Sequence, residues 1–294
     1  MKSGFVTILG KPNVGKSTLL NKILGEKVAI VSPKPQTTRN KILGILNEPD
    51  YQIIFIDTPG KHNIKNKLDK YMDTEIEQAK KDVDIVLLVI DGSKKITEAD
   101  YQFVEGFEKS NQKVIVVVNK IDTTTFEKLY PQLVRFNEMD FVLDIIPISA
   151  KSGKNVEDLL SVIKSNLTSD IRYYDEDIYT DKSVRFMVSE IIREKALLYL
   201  QDEIPHGVAV DIVEFKEDAK KVIIDADIIC ERDSHKPIIL GRGGEMIKKI
   251  GTEARLDIEK LVDNKVFLNL FVKVRDNWRN NNNQISNLGY VSED

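Results

Sequence analysis

The most constraining feature of the chain is the segment FVTILGKPNVGKST at residues 5–18. An apolar run from Phe5 to Leu9 predicts a buried strand, and a helical pattern, LLNKIL, begins directly after Thr18. Between them lies Gly-x-x-x-x-Gly-Lys-Ser, the pattern of a phosphate-binding loop in its strand-to-helix setting. In such a loop, backbone N–H groups and the positive end of the helix dipole face phosphate oxygens. The segment therefore predicts a site for a nucleoside phosphate.

The residue types in this loop have separate chemical roles. The Lys16 ammonium is expected to reach the β and γ phosphates, and the Ser17 hydroxyl is expected to ligate Mg²⁺. The other loop residues predicted to contact the nucleotide are Gly10, Asn13, Val14, Gly15 and Thr18.

Two further stretches carry candidate groups for the metal ion and the γ-phosphate. Residues 28–40 contain two prolines and little periodicity, which predicts a loop, and one of its threonines is expected to ligate Mg²⁺ when a γ-phosphate is present. The strand YQIIFI then runs into Asp57-Thr58-Pro59-Gly60. An acidic residue at the end of a buried strand is costly unless it serves a cation, so Asp57 is predicted to hold Mg²⁺, usually through water. The Gly60 N–H is predicted to contact the γ-phosphate.

A third group of motifs predicts recognition of the base. The apolar strand KVIVVV ends at Asn119-Lys120-Ile121-Asp122. Guanine presents N1–H and its exocyclic amine as adjacent donors, and one carboxylate accepts both, whereas adenine has no such pair. Asp122 is therefore predicted to select guanine, with Asn119 bracing neighbouring loops and the Lys120 stem lying along the base. The strand DIIPIS ends at Ser149, Ala150 and Lys151, where the Ala150 N–H is expected to meet guanine O6.

Strands alternate with helices through this half of the chain, which predicts a doubly wound, mainly parallel α/β sheet. In such sheets the ligand lies at the carboxyl ends of the strands, and every motif described above falls at such an end. A final helix is expected to begin after Asn155, capped by its side chain, with Asp158 three residues later. We interpret residues 1–168 as a GTPase domain and the acidic, aperiodic residues 169–183 as a linker.

The second half predicts a smaller α+β domain over residues 184–276. Its order is helix, two antiparallel strands, two helices and a strand, with Gly-Arg-Gly-Gly between the two middle helices. This is the order of a type II KH-type RNA-binding domain, in which small loop residues let a sugar–phosphate backbone approach closely. Residues 277–294 form a tail whose asparagine run predicts a flexible surface segment. In this tail, core packing of Trp278 is favoured over stacking on a base.

The charge distribution supports RNA binding at the glycine loop. Residues 175–233 carry 16 acidic and 8 basic residues, whereas residues 236–279 carry 6 acidic and 10 basic residues. The alternative is a helix–turn–helix with a solvated basic face. The predicted RNA-binding residues are Ile238, Gly241, Arg242, Gly243, Gly244, Lys248, Lys249 and Arg255.

Composition limits the remaining classes. The formal charge of −4 argues against a globally basic nucleic-acid binder, and we expect no DNA partner. The single cysteine, Cys230, leaves no disulfide framework and is expected to be a buried thiol. Neither a signal peptide nor an apolar stretch of about 20 residues is evident, which predicts a cytoplasmic protein, peripheral on a membrane at most. We also expect a monomer.

With both halves placed, the chain resembles the Era family of bacterial GTPases, which carry a C-terminal KH domain. The resemblance rests on GKPNVGKSTLLN, QTTR, DTPGKH, NKID, ISAKSG, EIPHGVAV and LGRGGEMIKKIG. It implies GTP-regulated binding near the 3′ end of small-subunit ribosomal RNA during maturation of the small ribosomal subunit, and peripheral association with the inner face of the membrane. It implies Thr38 as the switch threonine and metal ligand, with Lys16, Thr38 and Gly60 as the catalytic set. It further implies a potassium ion at Asn13.

One position departs from glutamine-dependent GTPases, which orient the attacking water with Gln after Asp-x-x-Gly. This chain has Lys61 there, and a lysine donates hydrogen bonds but cannot accept a proton from water. We therefore predict slow intrinsic hydrolysis. The main alternative function is an RNA-binding scaffold in which the nucleotide is structural. A tRNA-modification GTPase is disfavoured by the KH-like half and the missing C-terminal cysteine motif.

Overall fold

The computed structural model describes residues 1–291 and divides them into two compact units. Residues 292–294, the end of the predicted tail, lie outside the described residues. Unit 1 comprises Met1–Ala29, Thr38–His62 and Asp73–Asp181, and unit 2 comprises Ile30–Thr37, Asn63–Met72 and the chain from Lys182 onward.

Unit 1 is built on a six-stranded sheet. Its strands are β1 (Lys2–Gly10), β2 (Ile42–Asn47), β3 (Tyr51–Asp57), β4 (Ile85–Asp91), β5 (Lys113–Asn119) and β6 (Val142–Pro147). The strand order is β2-β3-β1-β4-β5-β6, and every neighbouring pair is parallel except β2 with β3. The central strands β4 and β5 are almost wholly buried, as expected for continuous apolar runs covered on both faces. The predicted doubly wound, mainly parallel α/β sheet is confirmed.

The helices of this part of the chain are α1 (Lys16–Leu24), α2 (Lys67–Gln78), α3 (Glu98–Glu105), α4 (Phe126–Asn137) and α5 (Val156–Asn166). All lie in unit 1 except α2, whose residues up to Met72 belong to unit 2. Helix α2 begins inside the polar stretch KHNIKNKLDK at residues 61–70. Helix α4 was not predicted, because Pro131 interrupts its pattern. Helix α5 begins directly after Asn155 as predicted, but the predicted cap is wrong. The Asn155 side chain donates instead to the carbonyl of Pro147, at 2.8 Å.

Strand register brings the chemistry-bearing residues to one edge of the sheet. Asp57 is the last residue of β3 and pairs with Ile8 of β1. Asp91 and Asn119 end β4 and β5 and pair with each other. Because parallel strands share one carboxyl edge, these three polar side chains lie where a ligand of an α/β sheet binds.

Residues 169–181, within the predicted linker, accompany unit 1 without forming an extended helix or strand. Isolated bridges join Ser169 to Ser3 and Thr180 to Gly44. The Gln52 side-chain oxygen accepts a hydrogen bond from the backbone N–H of Tyr173, at 2.8 Å. The domain boundaries after residues 168, 183 and 276 stay a prediction.

Unit 2 contains a second, three-stranded sheet. Its regular elements after residue 182 are α6 (Val184–Tyr199), β7 (Ala209–Asp218), β8 (Lys221–Cys230), α7 (Lys236–Leu240), α8 (Glu245–Val262), β9 (Val266–Val274) and α9 (Asn282–Asn287). The strand order is β7-β8-β9, with β7 antiparallel and β9 parallel to β8. Alternate residues of β8, from Val222 to Cys230, are fully buried against residues of α6 and α8. The predicted smaller α+β domain with a KH-type order and the buried thiol are confirmed.

In the segment that follows β9, residues 280–283 of the asparagine run are exposed as predicted, but apolar residues on either side of the run are packed. Trp278 is fully buried, and its indole N–H donates to the carbonyl of Gly207 at 2.9 Å. Tyr290 stacks on it with 6.0 Å between ring centroids, and Ile285 of α9 belongs to the same cluster. The preference for core packing of Trp278 over base stacking agrees with this geometry.

We predict that Trp278→Ala lowers the free energy of unfolding by about 3–5 kcal/mol, because it leaves a large cavity and an unpaired carbonyl. Urea unfolding followed by far-ultraviolet circular dichroism measures this change. Phe271→Ala is the matched control, since that aromatic side chain is 53% exposed. A loss for Trp278→Ala no larger than for Phe271→Ala would contradict the packing role.

Candidate functional site: a guanine-nucleotide site and a glycine-rich loop

In the phosphate-binding loop, the Lys16 side chain bonds to the backbone of the loop itself. Gly15 has φ of 100°, a conformation that side chains rarely adopt, and a Cβ there would overlap the Asn119 side-chain nitrogen. The Lys16 ammonium folds back onto the loop and donates to the carbonyls of Gly10 at 3.1 Å and Lys11 at 3.3 Å. Burial lowers the pKa of Lys16 to about 8, with the Asp57 carboxylate acting in the opposite direction. A phosphate is the natural partner for this buried ammonium.

Three predicted metal ligands meet beside this lysine. The Ser17 hydroxyl lies 2.6 Å from Asp57 Oδ2 and 2.9 Å from the Thr38 hydroxyl. Asp57 is fully buried, and its Oδ1 has no hydrogen-bond partner among the described residues. Burial raises the pKa of Asp57, while Lys16 and the Ser17 hydrogen bond oppose that shift. Hard oxygen ligands and an unpaired buried carboxylate oxygen fit Mg²⁺, which keeps several waters.

The Asn119 side chain joins three loops of unit 1. Its amide nitrogen donates to the carbonyl of Val14 at 2.8 Å. Its amide oxygen accepts from the backbone N–H of Lys120 at 2.8 Å and of Ala150 at 2.9 Å. Asn119 is 2% exposed, so these bonds form away from solvent. The bracing role predicted for Asn119 is the arrangement found.

Lys120 spans from the phosphate-binding loop to β4. Its ammonium donates to the carbonyl of Asn13 and to Asp91 Oδ2, each at 2.7 Å. Asp122 lies in the short 3₁₀ turn Ile121–Thr123 with an exposed side chain. Sequence reasoning missed Asp91, although it ends an apolar strand in the same way as Asp57.

The other predicted nucleotide residues lie in the same unit. Gly60 packs on Pro12, since a Cβ there would lie 2.8 Å from Pro12 backbone atoms. Thr18 is in the first turn of α1, directly after Ser17. Ser149 and Ala150 are buried and Lys151 is exposed.

The glycine-rich loop of unit 2 connects α7 to α8. Gly241, Gly243 and Gly244 all have positive φ, at 74°, 59° and 83°. A Cβ on Gly241 would lie 2.7 Å from Met246, whereas one on Gly243 or Gly244 would meet nothing within 4 Å. The loop backbone is therefore bare on the side of Gly243 and Gly244, where a phosphate could approach it.

The predicted basic residues around this loop differ in their surroundings. Arg242 and Lys248 are exposed. The Lys249 ammonium lies 4.0 Å from the ring centroid of Tyr199, and Arg255 pairs with Glu259 at 3.0 Å. Ile238 is 52% exposed on α7, next to the fully buried Ile239. Ile238, Arg242 and Lys248 thus lie next to the loop along the chain, whereas Arg255 lies about three helical turns farther along α8, beside Lys265 and Phe267.

Residues 30–37, which precede the predicted switch threonine, belong to unit 2. Arg193 of α6 donates to the carbonyl of Thr37, and Glu194 accepts from the N–H of Val31 at 2.8 Å. Arg193 and Glu194 are 1% and 3% exposed. Sequence reasoning placed these charges on a helix but gave no reason to expect them buried against this loop.

The nucleotide site of unit 1 and the glycine-rich loop of unit 2 together define a GTPase that carries a KH-type domain. Comparisons with known proteins agree with this class. Residues 5–120 match the family described as 50S ribosome-binding GTPase, and residues 203–279 match the KH domain family. The chain is similar to GTPase Era of Clostridium acetobutylicum, with 48% identity over 289 residues and 98% coverage of both chains. It is also similar to GTPase Era of Clostridium kluyveri, with 49% identity and 99% coverage of both.

Two solved structures are similar over the whole chain. One is Era in complex with MgGDPNP and nucleotides 1506–1542 of 16S ribosomal RNA; the other is an Aquifex aeolicus Era variant bound to GDP and AlF₄⁻. Each has a TM-score of 0.95, 38% identity and coverage of 99% of this chain and 100% of the other. The chain belongs to the Era family of GTPases.

Family membership confirms several predictions from the sequence. The chain is a GTP-hydrolysing enzyme that uses GTP and GDP with Mg²⁺. The comparisons do not address potassium. No helix in residues 1–291 has the length and apolar character needed to cross a membrane.

We predict that Asn119→Ala weakens binding of GDP about 100-fold, because three buried hydrogen bonds of about 1 kcal/mol each no longer fix the loops that surround the nucleotide. Competition with a fluorescent GDP analogue measures the dissociation constant. Asn137→Ala, at an exposed position that ends α4, is the matched control. Equal affinities for both variants would contradict the bracing role.

Proposed function

We propose that the protein is a GTP-regulated switch that binds the 3′ region of small-subunit ribosomal RNA through its KH domain and assists maturation of the small ribosomal subunit. The observation that carries this proposal is the similarity, over 99% of the chain, to an Era structure that contains MgGDPNP and nucleotides 1506–1542 of 16S ribosomal RNA. The presence of both a nucleotide site and an open glycine loop in this chain supports it.

The proposed nucleotide roles follow from the geometry of unit 1. Lys16 binds the β and γ phosphates, with backbone N–H groups of the loop and of Gly60. Ser17, Thr38 and Asp57 hold Mg²⁺, which neutralises phosphate charge when bound. Asp122 binds the guanine edge, and Lys120 lies along the base. Ala150 is the proposed donor to the guanine oxygen, but its N–H donates to Asn119 Oδ1 in this structure, so the proposed contact requires that N–H to be shared between the two acceptors.

Slow turnover is part of the proposal. The position after Asp-x-x-Gly carries Lys61, whose side chain is exposed and whose backbone N–H is 3.4 Å from the carbonyl of Gly10. A lysine has no acceptor with which to orient a water. The catalytic contribution therefore comes from the positive groups and backbone donors around the phosphates, with Lys16, Thr38 and Gly60 as its proposed residues.

The proposed RNA site is the Gly241–Gly244 loop with its flanking side chains. Gly243 and Gly244 leave the backbone bare, so a sugar–phosphate chain can approach without a steric conflict. Arg242 and Lys248 provide exposed charge for the phosphates. Ile238 provides an exposed apolar surface for a base.

Regulation is proposed to pass through the loop that precedes Thr38. Thr38 lies at Ser17 in unit 1, and its neighbour Thr37 is held by Arg193 in unit 2. A γ-phosphate that fixes Thr38 would restrict a segment whose preceding residues are bonded to α6. Lys195 of the same helix pairs with Asp257 of α8 at 2.5 Å, and α8 begins at the glycine loop.

Four finer expectations stay predictions. Asn13 is exposed with φ of 63° in the phosphate-binding loop, where the resemblance implies a potassium ion. A cytoplasmic location, peripheral association with the inner face of the membrane, and a monomeric state follow from composition and resemblance alone.

We predict that single-stranded RNA from the 3′ end of small-subunit ribosomal RNA binds more tightly in the presence of a non-hydrolysable GTP analogue than with GDP. Fluorescence anisotropy at two salt concentrations measures both affinities. Equal affinity in the two states would favour the scaffold alternative, in which the nucleotide is structural.

The same titration tests the RNA site. Gly243→Asp places a negative charge on the bare side of the loop and is expected to reduce RNA affinity at least about tenfold. Gly243→Asn is the matched control for shape, since Asn and Asp both tolerate this positive φ. Unchanged RNA binding by Gly243→Asp would contradict the glycine-loop assignment.

We predict that Lys61→Ala hydrolyses GTP within about twofold of the parent rate, because no proton-accepting role is open to Lys61 and an exposed charge contributes little. Single-turnover phosphate release measures the rate. Lys109→Ala provides a comparison at another exposed lysine of the same unit, outside the nucleotide site. A collapse in rate for Lys61→Ala alone would mean that its charge stabilises the transition state.

A further inference from the structure

Asp91 is a charged side chain of unit 1 that the roles assigned above do not use. It is the last residue of β4, and its register partner on β5 is Asn119, the residue before Lys120. The pairing with β5 continues at the next residue, since the Gly92 N–H donates to the carbonyl of Asn119 at 2.8 Å. Backbone geometry alone therefore places the Asp91 carboxylate beside the base-binding motif.

The Lys120 ammonium has two acceptors in this structure. One is the carbonyl of Asn13 in the phosphate-binding loop, and the other is Asp91 Oδ2, both at 2.7 Å. Lys120 itself has φ of 70°, a left-handed conformation that few residues other than glycine adopt. The Asn13 carbonyl alone would hold the flexible Lys120 side chain only weakly. The Asp91 carboxylate is a charged acceptor on a rigid strand, so the two acceptors together fix the position of the Lys120 ammonium.

The carboxylate that serves as this second acceptor is itself held in place. Asp91 Oδ1 accepts from the Ser93 N–H at 3.1 Å and from the Ser93 hydroxyl at 2.5 Å. Burial alone would raise the pKa of Asp91, but the hydrogen bonds from Lys120 and Ser93 outweigh it and keep that pKa below its usual value. Asp91 Oδ1 is thus bonded to Ser93 and Asp91 Oδ2 to Lys120.

A surface ion pair without function is the simpler alternative. Lys164 and Asp50 form such a pair in the same unit at 2.6 Å, with side chains that are 39% and 67% exposed. The Asp91 side chain is 16% exposed and that of Lys120 33%. Asp91 differs in a further respect, because its lysine also bonds the phosphate-binding loop.

We propose that Asp91 is a positioning residue for the guanine nucleotide, which acts by holding the Lys120 stem against the base and the Lys120 ammonium against the phosphate-binding loop. Asp91 has no direct contact with the nucleotide in this role. The inference rests on the proposed nucleotide site, in which Lys120 lies along the base.

The test is a double-mutant cycle on GDP affinity in the full chain. Asp91→Asn keeps the shape of the side chain and removes its charge, and it is expected to raise the dissociation constant for GDP about tenfold. Lys120→Met keeps the alkyl stem and removes the ammonium. In the Lys120→Met background, Asp91→Asn is expected to have no further effect, because Asp91 acts only through that ammonium.

Two further readouts separate positioning from a general loss of structure. The kcat for GTP at saturation is expected to stay within about twofold for Asp91→Asn while KM rises, since the γ-phosphate groups are untouched. Ser93→Ala loosens the carboxylate and is expected to give a smaller rise in the dissociation constant, which also vanishes in the Lys120→Met background. Asp50→Asn is the control and is expected to bind GDP like the parent.

The outcomes distinguish this inference from the function on which it rests. If Asp122→Ala binds GDP like the parent, the proposed base site fails. If Lys120→Met alone binds GDP like the parent, its ammonium has no role in binding and the positioning role of Asp91 is overturned. If Lys120→Met weakens binding but Asp91→Asn does not, only the positioning role of Asp91 is overturned. That role is also overturned if Asp91→Asn and Ser93→Ala weaken binding equally in both backgrounds, because their effect then bypasses Lys120.

Discussion

The nucleotide site depends on one buried amide. Asn119 is held at the end of β5 by parallel pairing with β4, and its side chain has three polar partners in a place with almost no access to water. A buried amide that loses such partners incurs the full cost of its desolvation. The strand ends of β1, β5 and β6 therefore reach the ligand in a fixed arrangement. Gly15 is required for the same reason, since a side chain there would displace this amide.

Two strand-end aspartates show how identical local patterns lead to different chemistry. Asp57 and Asp91 each follow an apolar strand and lie at the same edge of the sheet. Asp57 is fully buried and keeps one oxygen without a partner among the described residues, which suits a cation. Asp91 has both oxygens engaged, by Ser93 and by Lys120. The role of each carboxylate depends on a partner that is distant in sequence, so a local sequence pattern cannot reveal that role.

The difference between local patterns and distant partners explains which features of this structure could be predicted from the sequence. The motifs at Lys16, Asp57 and Asn119 were found because backbone and ligand chemistry fix their residue types at short spacing. Helix α4 was missed because Pro131 lies within it, at a position where a proline usually argues against a helix. The tail was misjudged because its asparagines favour turns, whereas Trp278 and Ile285 anchor it through contacts with residues far earlier in the chain. Long-range packing overrode local composition in both cases, since Leu129 and Phe136 of α4 are buried in a core cluster of unit 1.

The glycine loop is where this acidic chain carries its proposed RNA site. Of the four predicted cations, Lys249 already lies over Tyr199 and Arg255 already pairs with Glu259. In the proposed RNA site, the remaining exposed charge of Arg242 and Lys248 acts together with the bare backbone at Gly243 and Gly244. Three residues with positive φ in a four-residue loop are costly to order, which only glycine makes feasible. In the proposed RNA site, the absence of side chains at Gly243 and Gly244 is what lets a phosphate chain approach the loop backbone closely.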